Sequence, residues 1–151
     1  MTVTDNVLVE KQFNESIERG GAAVSAETVG QTTIICIRGE VDASNADFVM
    51  TVLEGFATRR SRVVVDASGL SFVGTQGLRL LVNFDQRCQR HDVVWALVSC
   101  RLLRRLLQVV DAEQLLPVAA SVDDAQRMLE SVEASPAERT LQRVAPEKLR
   151  C

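Results

Sequence analysis

The sequence predicts an α/β domain built on a mixed, mainly parallel sheet of four to five strands with about four helices. Two observations lead to this class. Short β-rich apolar runs alternate along the chain with longer segments whose apolar residues recur at helical spacing. The runs RVVVDA and DVVWALV are continuously apolar, which is typical of strands covered on both faces. Strands that alternate with single helices imply parallel pairing through right-handed crossovers.

The first half of the chain contains two predicted strands and one helix before the central strand. Residues 22–28 are expected to form an edge strand, and the β-branched run TTIICIRG forms the next strand. A helix follows, because Val49, Val52, Leu53 and Phe56 fall on one helical face. Ser44, three residues before Asp47, resembles a capping box at its start. RVVVDA is then the central strand.

The second half repeats the strand and helix alternation. A helix is expected from Thr75 to about Arg90, with His91 at its end and Asp85 facing water. DVVWALV is the next strand, and SCRLLRRLLQVVD is a helix whose arginines surround an apolar stripe. LLPVAA returns to the sheet as an edge strand, where a proline is tolerated. Ser121 caps the last helix.

One domain accounts for most of the 151 residues. We expect it to cover residues 22–133. Residues 1–21, which end in Gly-Gly, are predicted to be a flexible extension. Residues 134–151 are polar and contain proline, and we predict a mobile tail there.

Composition excludes several classes of function. The net charge of −3 and the low aromatic content, 4%, argue against direct nucleic-acid binding. No apolar leader and no run long enough to enter a membrane is present, so we expect a cytoplasmic protein. The four cysteines form no CxxC pair and there is one histidine, His91, so neither a metal site nor a cofactor is expected.

Catalytic motifs are also missing. The segment VGTQG has the wrong spacing for a nucleophile elbow, and the chain has neither a P-loop nor a GxGxxG sequence. We therefore predict a binding or regulatory domain and not an enzyme.

A single hydroxyl, Thr75, stands where the central strand feeds a helix. It is predicted to be the N-cap, where its oxygen would accept a backbone N–H. The same place also suits a phosphate, because a helix N-terminus favours negative charge. Gly74 beside it leaves room for a partner to approach closely. Both interpretations of Thr75 stay open on these grounds.

Several segments, in the right order, resemble a STAS domain of the kind found in bacterial anti-sigma factor antagonists. IRGEVDAS resembles the first signature of the family, a strand ending in G-E-[LV]-D. VVVDASGLSFVGTQGLRLLV resembles the central signature, D-x-S-x-[LV]-x-[FY]-[LIVM]-D-S-[ST]-G-[LM]. The segment from Ser99 to Gln126 resembles the usual ending, a helix, a short strand and a capped helix. The resemblance extends from about residue 32 to residue 132 and implies the STAS fold.

The resemblance implies a mechanism and a set of site residues. An unphosphorylated acceptor hydroxyl docks on an anti-sigma factor, which then releases its sigma factor. Many such partners have an ATP-dependent kinase fold and phosphorylate the acceptor, which breaks the complex. Carried over by position, the acceptor is Thr75, and Gly77 matches the glycine of the motif. We predict that the partner-binding residues are Asp42, Asp66, Gly74, Thr75, Gln76, Gly77 and Arg79.

Two positions depart from the family pattern. Gly74 replaces the usual acidic residue, and Gln76 replaces a second Ser or Thr. Asp42 and Asp66 match the acidic residues near the acceptor, yet each is equally well explained as a turn or strand-end residue. A transporter subunit, a scaffold of a sensory complex and a small-molecule-binding STAS domain are the alternative functions. Arg101, Arg104 and Arg105 either extend a docking surface or form a solvated helix face.

Overall fold

The computed structural model describes residues 13–58 and 61–133. The first three strands are β1 (Phe13–Arg19), β2 (Ala22–Val29) and β3 (Thr32–Val41). They are followed by α1 (Ala46–Phe56), β4 (Arg62–Val73), α2 (Thr75–Arg90), β5 (Val94–Val98) and α3 (Arg101–Val109). A 3-10 turn (Glu113–Leu115), β6 (Val118–Ala119) and α4 (Val122–Glu133) complete the described chain. The four helices of the described chain and the α/β class confirm the sequence prediction, and His91 lies at the end of α2, as its C-cap.

Within the described residues the sheet contains six strands, where the sequence predicted four to five, in the order β1-β2-β3-β4-β5-β6. β1, β2 and β3 pair antiparallel, and β3 to β6 pair in parallel. The additional strand, β1, lies in the segment assigned to the flexible extension. The positive φ angles of Gly20 (59°) and Gly21 (94°) explain the difference, because two such residues make the tight turn of a β-hairpin. The predicted tail, residues 134–151, lies outside the described residues.

Helices cover both faces of the sheet unequally. α1, α2 and α3 pack on one face over a large core that includes Leu53, Phe84, Trp95 and Leu103. α4 packs on the opposite face over a smaller core that includes Leu129. Burial of these apolar side chains on both faces of β4 and β5 explains why their sequences are continuously apolar.

Asp85 does not face water as the sequence predicted. Its carboxylate is buried in α2 and accepts hydrogen bonds from Trp95 Nε1 and from Gln89 Nε2, both at 2.8 Å. The Trp95 ring packs edge-on against Phe84, with ring centroids 5.0 Å apart. An indole N–H in an apolar core needs an acceptor, so Trp95 draws this carboxylate inward.

Candidate functional site

Thr75 is the first residue of α2, and the N-cap is Gly74. The predicted cap was therefore wrong by one residue. The Gly74 carbonyl accepts the N–H groups of Gly77 at 3.0 Å and of Leu78 at 3.2 Å, while its own N–H donates to the Val41 carbonyl at 2.9 Å. The Thr75 side chain is exposed, and its hydroxyl forms no hydrogen bond within the described residues. The hydroxyl is thus available to a partner and is not used in capping the helix.

Around Thr75 lie three further exposed residues and the half-buried Gly74, and we call this group the Thr75 surface: Phe72, Gly74, Thr75, Gln76 and Arg79. Phe72 leaves 47% of its area exposed, which is unusual for an aromatic side chain. Gln76 and Arg79 are exposed on the first turn of α2, and Gly74 is half-buried. The Thr75 surface therefore presents an aromatic ring, a hydroxyl, an amide and a cation in sequence, a mixture suited to protein docking.

Asp42 lies next to this surface, because β3 and β4 end together with Val41 paired to Val73. Its carboxylate accepts two hydrogen bonds from Ser44, from the hydroxyl at 2.6 Å and from the backbone N–H at 2.9 Å. These bonds to Ser44 lower the pKa of the Asp42 carboxyl. Asp42 thus holds a turn in place as a carboxylate, and Ser44, predicted as a helix cap, is its donor.

Asn45 organises the same loop and was not predicted. The side chain is only 1% exposed. Its Nδ2 donates to the carbonyls of Gly20 and Glu40, both at 2.8 Å, and its Oδ1 accepts the Asp42 N–H at 3.0 Å. It therefore ties the β1–β2 turn to the loop between β3 and α1. In the sequence it resembles an ordinary helix-start residue, and only the position of β1 identifies its partners.

Gly77 has a packing role beneath the surface. It is buried, and a Cβ at this position would lie 2.8 Å from Val73 Cγ1 and 3.1 Å from Val41 Cγ1. The glycine therefore allows α2 to pack closely on β3 and β4. It positions Thr75 and is itself inaccessible to a partner.

Asp66 lies away from the Thr75 surface. Asp66 pairs with Cys36, which lies five residues before Val41 on β3. Asp66 is therefore about 17 Å, measured along the strand, from the loop that contains Asp42. Its carboxylate accepts the Ser68 hydroxyl at 2.6 Å and the Ser68 N–H at 3.0 Å, and the Cys36 thiol approaches at 3.9 Å. Burial and the Asp66 charge raise the pKa of the Cys36 thiol. Asp66 thus belongs to a separate polar cluster on the face where α4 packs.

The described residues also bear on two other kinds of site. Within them, no three His, Cys, Asp or Glu side chains are arranged to hold a metal ion. None of their helices is long and apolar enough to cross a membrane.

Residues 23–125 match the sequence profile of the STAS domain family, so the chain is a member of that family. It is 31% identical over 116 residues to Osmosensory protein A of Mycobacterium tuberculosis, covering 74% of this chain and 73% of that protein. It is also 31% identical over 96 residues to Anti-sigma-F factor antagonist RsfA of the same species, covering 61% and 75%. The crystal structure of an anti-sigma factor antagonist from Mycobacterium paratuberculosis superimposes with a TM-score of 0.66 at 18% identity, covering 72% of this chain and 94% of that one, and shares the fold.

An acidic residue at position 74 should be accepted without strain. Gly74 has a φ of −85°, open to any residue, and a Cβ there would meet Phe72 Cε2 at 3.5 Å, an ordinary contact. Since an aspartate at an N-cap accepts a backbone N–H, Gly74→Asp should raise the free energy of unfolding by about 0.3 kcal/mol. Urea unfolding followed by fluorescence of Trp95, the single tryptophan, measures this change. Gly74→Ala is the control and should give no gain; equal effects of the two would contradict the capping argument.

Proposed function

We propose that this chain is an anti-sigma factor antagonist that binds an anti-sigma factor through the Thr75 surface and so frees a sigma factor. The observation that carries the proposal is the exposed, unbonded hydroxyl of Thr75 at the start of α2 beside the exposed ring of Phe72. The similarity to RsfA, named as such an antagonist, supports the same role. The function requires docking and no catalysis by this chain.

We further propose that phosphorylation of Thr75 ends the interaction. A partner with an ATP-dependent kinase fold would transfer the γ-phosphoryl group to Thr75 Oγ1. The new O–P bond replaces the β–γ bridging bond of ATP, so ADP leaves and the hydroxyl proton is released. The added charge of about −2 lies at a helix N-terminus, which tolerates it, so the fold is retained. Its effect falls on the docked partner through bulk and charge repulsion.

Membership of a sensory complex is the second candidate function. It is favoured by the 31% identity to Osmosensory protein A, which covers more of the chain than the match to RsfA. In that case the Thr75 surface would dock on a sensory protein in place of an anti-sigma factor, and the same hydroxyl would remain the control point.

The test is affinity capture from lysate of the source cells, with bound proteins identified by mass spectrometry. The baits are wild type, Thr75→Ala, Thr75→Glu and the control Thr28→Glu, which adds the same charge at an exposed threonine on β2. We expect an anti-sigma factor on wild type and on the control, and its loss with Thr75→Glu. Capture of the same partners by all four baits would refute the role of Thr75. If the protein captured by wild type and lost with Thr75→Glu is a sensory protein and not an anti-sigma factor, the second candidate function is established.

Phosphorylation is tested with the captured partner. Incubation of wild type with the purified partner and ATP should add one phosphate to the intact mass, and Thr75→Ala should remain unmodified. An anti-sigma factor that binds the chain but leaves its mass unchanged would separate docking from the phosphorylation switch.

A further inference from the structure

The outer side of α3 exposes more apolar surface than the core requires. Leu103 and Leu107 are the buried residues of this helix. Even so, Leu102 is 37% exposed, Val109 is 82% exposed and the C-cap residue Val110 is 50% exposed. Large apolar side chains clustered in the open on one short element are typical of a contact surface.

These side chains form a pattern with the arginines of the same helix. At 100° per residue, Leu102, Leu106 and Val109 follow one another along one flank of α3. The outermost ridge, next to that flank, carries the exposed Arg101 and Arg105, and the exposed Arg104 follows on the far side of that ridge. The helix contains no acidic residue, and no acidic group among the described residues lies within ion-pair distance of these arginines. We call the apolar flank and the arginine ridge together the α3 face.

We propose that the α3 face is a second docking surface, and that it binds an acidic amphipathic helix of a partner protein. Leucines of such a helix would pack on the apolar flank, while its glutamates or aspartates would pair with the arginine ridge. Arginine suits this role because its planar fork binds carboxylates through two hydrogen bonds.

The α3 face is separate from the Thr75 surface. The strand that leads into α3 ends at Val98, which pairs with Asp66, seven residues before Val73 on β4. The start of α3 is therefore on the order of 20 Å from the start of α2 along the strand direction. Both surfaces can be occupied at once, so this proposal does not depend on the function proposed for Thr75.

Charge and geometry favour a protein helix over other occupants. A second copy of α3 would bring two arginine ridges together. The net charge of −3 opposes attraction to an anionic membrane, and the nine-residue helix carries no aromatic side chain to insert. Nucleic acid would use the arginines and leave the apolar flank in water. An acidic amphipathic helix alone satisfies both halves of the α3 face.

The probe is a fluorescently labelled synthetic helix with a leucine stripe flanked by glutamates, beside a scrambled peptide of equal composition. Fluorescence anisotropy at physiological salt measures binding to the full chain. We expect the amphipathic peptide to bind at least tenfold more tightly than the scrambled one. Arg101→Glu combined with Arg105→Glu, and separately Val109→Ser, should each weaken binding at least tenfold. The control Arg90→Glu, an exposed arginine on α2, should leave it unchanged.

Three results would overturn the proposal. They are the absence of peptide binding, equal binding of the two peptides, and unchanged binding by the α3 variants. Sedimentation with vesicles of phosphatidylcholine and phosphatidylserine tests the membrane directly. Vesicle capture of wild type without peptide binding would assign the α3 face to lipid. Thermal melting of each variant confirms that it is folded, as expected for exposed positions.

Discussion

Gly39→Ala should lower the free energy of unfolding by about 3 kcal/mol or more. Gly39 has a φ of +94°, and a Cβ there would lie 2.2 Å from the Gly21 carbonyl oxygen. That oxygen accepts the Glu40 N–H at 3.0 Å, so it cannot withdraw without breaking this hydrogen bond at the start of the β2–β3 pairing. Urea unfolding monitored by Trp95 fluorescence measures the loss.

Gly30→Ala is the matched control for this prediction. Gly30 has a similar φ of +64° but nothing within 4 Å of its would-be Cβ. It should therefore show only the conformational cost of a left-handed residue, about 1 kcal/mol. The difference between the two variants isolates the collision with the Gly21 carbonyl. Equal losses would mean that backbone strain, and not the collision, makes Gly39 necessary.

Local patterns in the sequence predicted most of the fold. Helices α1 and α2 are visible as an apolar periodicity, and strands β4 and β5 as continuous apolar runs. Each of these patterns spans only a few residues, so it can be recognised in the sequence alone. β1 was missed because its sequence, FNESIER, is largely polar and its strand character comes from pairing with β2. The Gly-Gly pair between these strands indicates a hairpin turn. The residues before it alternate too weakly between apolar and polar to predict a strand, so the sequence was interpreted as a flexible extension.

The candidate site was predicted less completely, because its details depend on strand register. The sequence placed Thr75 at the start of α2, which the structure confirms, although the N-cap is Gly74 and not Thr75. Asp66 shares the sequence Asp-Ala-Ser with Asp42, and each accepts two bonds from the serine two residues on. The two aspartates differ in position because Asp66 pairs with Cys36 in the middle of β3, whereas Asp42 follows the end of β3. The residues around each aspartate do not determine the register of β3 against β4.

Asn45→Asp should lower the free energy of unfolding by about 3 kcal/mol, although it changes the side chain by a single group. The amide nitrogen of Asn45 donates to the Gly20 and Glu40 carbonyls and lies 3.5 Å from the Arg19 carbonyl. A carboxylate cannot donate and would place a buried negative charge against these oxygens. Loss of the bonds should also loosen the loop that holds Asp42, so docking through the Thr75 surface should weaken alongside stability.

Urea unfolding by Trp95 fluorescence measures the stability change, with Asn83→Asp as the control. Asn83 is an exposed asparagine on α2, so the same chemical change there should cost little. The pH dependence of the stability of Asn45→Asp distinguishes the loss of the hydrogen bonds that Asn45 donates from a general packing defect. Acid pH protonates the introduced carboxylate, which then donates one hydrogen bond, so part of the lost stability relative to wild type should return. A deficit that stays constant with pH, or one matched by the control, would show that Asn45 does not hold this loop through its two donated bonds.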